Sequence, residues 1–329
     1  MLEELDLRIN QFNIGYFSTV YIGGGSPSLL SLSQIKKIFR VIKPLTSTDA
    51  EITIEANPEH ISKDFLDTIY ECGVNRLSLG IQSLSDKALT FVSRRASKNT
   101  VLKALEIIKN HWINKNNVRL SLDLISGLPY CSDDDFIEGV KTVIDSGADH
   151  ISLYSLTVEE DTPLFKNLGN YDDDKNTEQW LTGKTILESS GFIQYEVSNF
   201  CKENCQSRHN MTYWRKKDYI GIGSGATGTV SDFRYTNGKL DSRQKYTFSE
   251  SVEHLDKETL EFEYIMMGLR TLQGINENDF YERFGKSLDE RIGNVFSKWQ
   301  KKGLAEKRTS WWTLGKDGIM FLNQFLLEI

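Results

Sequence analysis

Apolar and polar positions along this chain follow two different periods, and the switch between them recurs. Short runs in which apolar and polar residues tend to alternate lie at Thr19–Ile22, Glu51–Glu55, Arg76–Ile81, Arg119–Ile125, His150–Leu156 and Ile193–Ser198, as expected of strands. Between them apolar residues return every three or four positions. Leu32, Ile35, Phe39 and Ile42 form one such face, Phe65, Leu66, Ile69 and Cys72 a second, Leu102, Leu105, Ile108 and Trp112 a third, and Phe136, Val140 and Val143 a fourth. These spacings predict helices with one apolar side. Ser62 reads as the N-cap of the second helix and Gly73 as its C-terminal stop. Strands alternating with helices imply βαβ units and a parallel sheet.

The strands carry a finer signal. In RLSLDLI, Leu120, Leu122 and Leu124 point one way while Ser121 and Asp123 point the other, and RLSLGIQS and HISLYSL repeat the pattern. A sheet covered on both faces would read as continuous apolar runs. Polar groups on one side, gathering toward the strand C-termini, fit a barrel whose lumen holds a site. Glu55, Gln82, Asp123 and Thr157 all lie at or just past strand ends. At the start of the chain Leu2, Leu5, Ile9 and Phe12 form a helical stripe. A barrel unit begins with its strand, so the first strand and the loop after it are expected to be missing, with Met1 inside the first barrel helix.

From about Phe200 the pattern changes. HNMTYW, DYIGIGSGATGTV and FRYTN read as turns and short strands. The stretch from Glu258 to Ile329 reads as three helices, a short strand pair near Trp311–Thr313 and a last helix. The expected organisation is therefore an α/β barrel over residues 1–200, a strand and turn extension over 201–250, and a winged-helix-like domain over 251–329.

Composition narrows the classes of function. With 39 basic and 46 acidic residues the 329-residue chain carries a net charge of −7, which opposes bulk attraction to nucleic acid or anionic lipid. Lys301, Lys302, Lys307, Arg308, Trp311 and Trp312 could form a basic, aromatic wing for DNA, but with this net charge a solvated helix end with two core tryptophans is favoured. No run approaches the roughly 20 apolar residues of a membrane span, and MLEELDLRIN is charged where a signal peptide would be apolar. A cytoplasmic location is expected. Four cysteines, Cys72, Cys131, Cys201 and Cys205, are too few in a chain this large to suggest a disulfide framework.

The sharpest local feature is Gly23-Gly24-Gly25-Ser26-Pro27-Ser28, directly after the strand TVYI. Glycines at a strand end let backbone approach a ligand closely, though a tight turn needs them equally. It is not a Walker loop, since no Gly-Lys-Ser/Thr follows. Gly221-x-Gly223-x-x-Ala226 fits a dinucleotide fingerprint as a string, but the residues after it are turn and strand material where a helix is required.

GGGSPSLL, EITIEANPE, GVNRLSLGIQS, DLISGLP, ISLYSLTVEEDTPL, YEVSNF, SRHNMTYW and YIGIGSGA resemble, in order and spacing, the radical-SAM family in its branch of HemW-type heme chaperones and oxygen-independent coproporphyrinogen III oxidases. The match runs from about Thr19 to the end. It implies a partial (β/α)6, TIM-like radical-SAM barrel with its first strand missing, followed by the small helical domain. It implies binding of S-adenosylmethionine (SAM) by Gly24, Gly25, Ser26, Glu55, Gln82, Arg94, Asp123 and Thr157. The chemistry is apt: an ammonium group takes a carboxylate or carbonyls, a carboxylate takes Arg94, and ribose hydroxyls take Asp123. On the residues alone, Glu55 could cap a turn, Arg94 could be a surface residue and Asp123 a paired lumen carboxylate. The resemblance also implies a [4Fe–4S] cluster, held by CxxxCxxC in the loop after the first strand, and heme as cargo passed to acceptor proteins.

Two departures from the family pattern stand out. No cysteine precedes the glycine triplet, and Cys201 and Cys205 give only CxxxC, with Arg208 where a third thiol belongs. As written the chain is expected to lack the metal ligands of that cluster and to be unable to cleave SAM reductively. Cys201, Cys205 and His209 have the spacing of one helix face, which would suit zinc or heme iron. Small hydrophobic roles for the two cysteines are favoured instead, with His209 the candidate for heme contact. Thr227 stands where relatives have a histidine. The leading expectation is a heme chaperone; the alternatives are a coproporphyrinogen oxidase and a non-catalytic paralogue without a cluster.

Overall fold

The alternating runs pair into one seven-stranded sheet. In this computed structural model, which describes residues 1–158, 163–167, 173–240 and 248–329, the strands are β1 (Phe17–Ile22), β2 (Thr46–Ala56), β3 (Arg76–Gln82), β4 (Arg119–Ser126), β5 (His150–Ser155), β6 (Ile193–Gln194) and β7 (Asn199–Cys201). Their order is β1-β2-β3-β4-β5-β7-β6. The first five run parallel, while β7 is antiparallel to both β5 and β6. The expected single strand over Ile193–Ser198 is thus two short strands. Tyr195–Val197 leave the sheet, and Val197 N–H donates to the Arg270 carbonyl instead.

These strands, with the helices between them, form one of two compact units, residues 16–194 and 198–207. Four of these helices start at a serine that caps them: Ser31, Ser62, Ser97 and Ser132 accept from the backbone amides of Gln34, Phe65, Thr100 and Asp135, each satisfying an otherwise unpartnered donor. The Ser62 cap and the Gly73 stop fall where the sequence places them, Gly73 at φ +94°. One helix face is rotated from expectation. Over Lys98–His111 the buried residues are Val101, Ala104, Leu105 and Ile108, while Leu102 is exposed.

Sheet parity then sorts the two faces. Ile52, Ile54, Leu77, Leu79, Leu120, Leu122, Ile151 and Leu153 are all buried in a single apolar cluster with the helices. The alternate positions are polar and in register across the sheet: Glu55 beside Ser78, Gly80 beside Asp123, and Asp123 beside Ser152. Arg76 and Glu51 pair on this side, with Arg76 also donating to Ser121 Oγ and to the carbonyls of Cys205 and Gln206.

The second unit gathers residues 1–15, 195–197 and 208–329. The opening helix, Leu2–Phe12, therefore groups with the C-terminal half, where the sequence places it in a barrel spanning 1–200. The physical reason is a pair of buried charges inside its apolar stripe. Glu4 accepts from Gly223 N–H and Asn237 Nδ2. Arg8 donates to Asn237 and Glu250 and lies 3.5 Å over the Tyr235 ring. Those partners belong to an antiparallel sheet of β8 (Thr227–Val230), β9 (Phe233–Asn237) and β10 (Glu250–His254) with the loop before it. HNMTYW is a helix, Arg208–Trp214, rather than turns and strands, because His209 and Tyr213 meet one turn apart.

The tail follows the expected order, with helices Lys257–Gly268, Glu277–Phe284 and Leu288–Lys301, then the hairpin Glu306–Arg308 with Trp311–Thr313. Phe280, Phe296, Trp299, Trp312 and Phe325 form its core. The basic wing is locally neutralised: Lys307 pairs with Glu277 and Arg308 with Glu306, and Trp312 donates to Glu277. No helix among the described residues is long and apolar enough to cross a membrane.

Candidate functional site

At the C-terminal end of β1 three successive glycines follow, the first needed for close approach and the next two for positive φ. A Cβ on Gly23 would lie 2.6 Å from the Tyr21 ring and 2.9 Å from the Glu55 carboxyl, so this position must be bare. Gly24 and Gly25 take φ +71° and +56°, and a Cβ on either would meet nothing within 4 Å. Their backbone thus presents an open, concave edge. Ser26 follows at φ 60°, an unfavourable conformation for a non-glycine residue, and it is held there by Asn57, whose Nδ2 donates to Ser26 Oγ at 3.1 Å.

Glu55, at the end of β2, closes the loop from below. Its Oε1 accepts the Tyr21 hydroxyl at 2.6 Å and its Oε2 accepts Gly24 N–H at 3.1 Å. Asp123 projects from β4 on the same polar face, accepting from Ser78 at 3.5 Å. Desolvation in the lumen, reinforced by the Glu55 charge, pushes its carboxyl up to about 6, against the pull of Ser152, Ser78 and Arg94. Gln82 reaches the site through a bulge. The β3–β4 register shifts between Gly80 and Gln82, Gln82 takes φ 69°, and its amide folds back over Gly80, where a Cβ would lie 2.7 Å away. Arg94 donates to Asn57 Oδ1 at 3.3 Å, so of the two adjacent arginines it is Arg94 that is tied to the loop.

The structure therefore gathers the loop residues into two hydrogen-bonded sets, Gly24 with Glu55 and Tyr21, and Ser26 with Asn57 and Arg94, while Gln82 ends β3 and Asp123 lies in the C-terminal half of the neighbouring β4. Thr157 lies exposed, two residues beyond β5, and no hydrogen bond ties it to the loop among the described residues. Sequence reasoning missed Tyr21 and Asn57. Both had a signal: Tyr21 has the inward parity of its strand, and Asn57 precedes Pro58, which enforces extended backbone and turns its side chain to the loop.

The cysteines are all buried. Burial pushes the Cys201 thiol up to about 11 and raises those of Cys72, Cys131 and Cys205, which opposes the thiolate form that metals require. Cys201 is on β7 and Cys205 in the loop after it, so they share no helix face with His209. Among the described residues no group of three or more His, Cys, Asp or Glu could hold a metal ion. The loop and strand ends offer a carboxylate, a guanidinium and open glycine backbone, groups of the kind that SAM would need, whereas the described residues offer no set of thiolates for a [4Fe–4S] cluster.

His209 sits half-buried on the helix Arg208–Trp214. Its Nε2 is 2.9 Å from the Tyr213 hydroxyl, and Tyr213 meets Tyr219 edge-on at 4.7 Å. Burial pushes the Tyr213 phenol up to about 12, so it stays a neutral hydrogen-bonding partner. Thr227, in the expected histidine position, bonds across the sheet to Thr236 at 3.0 Å.

Comparison with known proteins bears on this geometry at two levels. The Radical SAM superfamily model matches residues 2–143, and the HemN C-terminal domain model matches 255–321. The heme chaperone HemW of Buchnera aphidicola (Schizaphis graminum) is 32% identical over 99% of this chain and 88% of its own length. The chain belongs to the HemW heme chaperone family. Within that family, HemW of Bacillus subtilis is 33% identical, covering 93% of this chain and 83% of its own, and HemW of Escherichia coli is 30% identical, covering 99% and 87%. Coproporphyrinogen III oxidase (HemN) from Escherichia coli, described as a radical SAM enzyme, superposes with a TM-score of 0.78 over 99% of this chain and 83% of that one, at 17% identity. The fold is accordingly the α/β radical-SAM fold, a largely parallel sheet with a C-terminal helical region.

Proposed function

We propose that this protein is a heme chaperone of the HemW family that binds heme and passes it to acceptor proteins, and that it holds SAM at the glycine cradle. The observation that carries the SAM reading is the cradle itself: Gly24 and Gly25 at positive φ with open space beside them, braced by Glu55. Glu55 suits an ammonium group, Arg94 a carboxylate, and Asp123 with Gln82 the ribose hydroxyls. Gly25 and Ser26 contribute backbone polar groups, and Thr157 lies toward the adenine. SAM, when bound, supplies a sulfonium and the adenosyl group; this chain's residues bind and orient it. A [4Fe–4S] cluster belongs to the family's chemistry, and the residues described offer it no ligands, so no step is assigned to it.

Heme is the cargo rather than a resident cofactor. The names borne by full-length relatives at 30–33% identity support that assignment, and His209 with Tyr213 is the proposed contact. The likeness to coproporphyrinogen III oxidase is one of fold, and the relatives in sequence favour the chaperone. Along the chain we assign SAM binding to the barrel segment within 1–200, the His209 contact to the strand and turn extension over 201–250, and the remainder to the winged-helix-like segment over 251–329. The proposed setting is the cytoplasm, with no nucleic acid among the partners. Titration with heme, followed by the Soret band and by transfer to an apo-heme protein, tests the function. Saturable binding and transfer are expected; heme uptake that does not saturate, or bound heme that is not passed to the apo-protein, overturns it.

A further inference from the structure

We infer that Tyr21 is a positioning residue that presents Glu55 to the amino group of the ligand's methionyl end. The inference rests on the SAM reading above and adds a residue to it. A carboxylate has about four acceptor sites. Two on Glu55 are occupied by the chain itself, one on each oxygen: the Tyr21 hydroxyl at 2.6 Å and Gly24 N–H at 3.1 Å. These two donors, one on β1 and one in the loop directly after it, approach different oxygens and fix both the plane and the rotation of the carboxylate, leaving the remaining acceptor positions for a ligand cation. The ring of Tyr21 is itself wedged at Gly23, where a Cβ would come within 2.6 Å of Cε1. Residue 23 is therefore small because Tyr21 and Glu55 meet across it, and only the two following glycines are open to a ligand.

Tyr21 is held as a donor. Burial and the adjoining Glu55 charge keep its phenol protonated far above the usual range, so the hydrogen stays on the phenol oxygen and is donated to the carboxylate across the physiological pH range. A tyrosine that only filled space would do as well without its oxygen. The hydroxyl matters if the orientation of Glu55 matters.

The test compares the wild-type chain with Tyr21→Phe, which keeps the ring and removes the oxygen. Both are titrated by isothermal calorimetry with S-adenosylhomocysteine and with its deamino analogue, and their melting temperatures are recorded. If Tyr21 acts through Glu55 on the amino group, the Kd for S-adenosylhomocysteine rises roughly fivefold, the scale of a lost hydrogen bond to a charged group's partner, while the Kd for the deamino analogue stays unchanged. Equal weakening of both ligands means that Tyr21 merely shapes the loop, and overturns the inference. Unchanged binding of both also overturns it while leaving the SAM site standing. A wild-type chain that binds neither compound overturns the SAM reading and this inference with it.

Discussion

Arg76 and Glu51 form a buried ion pair, Nε to Oε2 at 3.0 Å, with both side chains less than a tenth exposed. They occupy inward positions on neighbouring strands, and the arginine's remaining donors go to Ser121 and to two backbone carbonyls after β7. The pair ties β2, β3, β4 and the segment closing the sheet into one polar floor.

Removing one partner strands the other charge. Glu51→Gln and Arg76→Ala are each expected to destabilise the protein by about 3–5 kcal/mol, measured as a shift in urea unfolding. A loss comparable to that of a surface pair, under about 1 kcal/mol, would contradict the buried network.

Asp123 gives a pH signature. Its carboxyl is raised to about 6 in the folded protein, against roughly 3.9 for an unperturbed aspartate. Its contribution to stability is therefore full below about pH 4 and is lost as pH rises through 6, because the folded state must then carry a desolvated charge. Asp123→Asn removes that cost. The melting temperature of the variant relative to wild type should be level near pH 4 and increasingly higher toward pH 7. Its affinity for SAM is expected to fall, since the charged acceptor proposed for the ribose is gone.

Gly23 and Gly24 should respond differently to alanine. Gly23→Ala places a methyl against Tyr21 and Glu55 and is expected to break their hydrogen bond and with it SAM binding. Gly24→Ala meets no atom but must hold φ +71°, at a cost of about 1–2 kcal/mol. Melting curves together with SAM titration separate the two. Equal effects on both readouts would mean the loop is not built as described.

Arg8 is 1% exposed, pairs with Glu250 and stacks over Tyr235. Arg8→Ala is expected to cost about 2–4 kcal/mol through the loss of packing and the stranding of its partners. Hydrogen exchange in β9 and β10 should rise in the same variant, and unchanged protection there would count against the role of the opening helix.

His209→Ala is expected to weaken heme binding at least about tenfold, the scale of one metal–ligand or hydrogen-bonded contact, with Tyr213→Phe producing a smaller loss through the His209 orientation. The Soret band position and the heme Kd report both. An unaltered spectrum in His209→Ala would move the heme contact elsewhere.

What the sequence determined by itself was whatever depends on near neighbours along the chain. Strand parity separated Leu120, Leu122 and Leu124 from Ser121 and Asp123, so the polar face of the sheet and the strand-end position of the site were legible. So were the Ser62 cap and the Gly73 stop, because each is decided within one turn. Eight short motifs in order also identified the family. Only the tertiary structure could decide which unit the opening helix joins. Its apolar stripe fits any core, and the partners of Glu4 and Arg8 lie more than 200 residues away. The same holds for the glycine triplet, where a period of two shows Tyr21 facing inward but not that it reaches Glu55 on the next strand. Burial and charge pairing across distant segments have no period along the sequence, and they set the final form of the site.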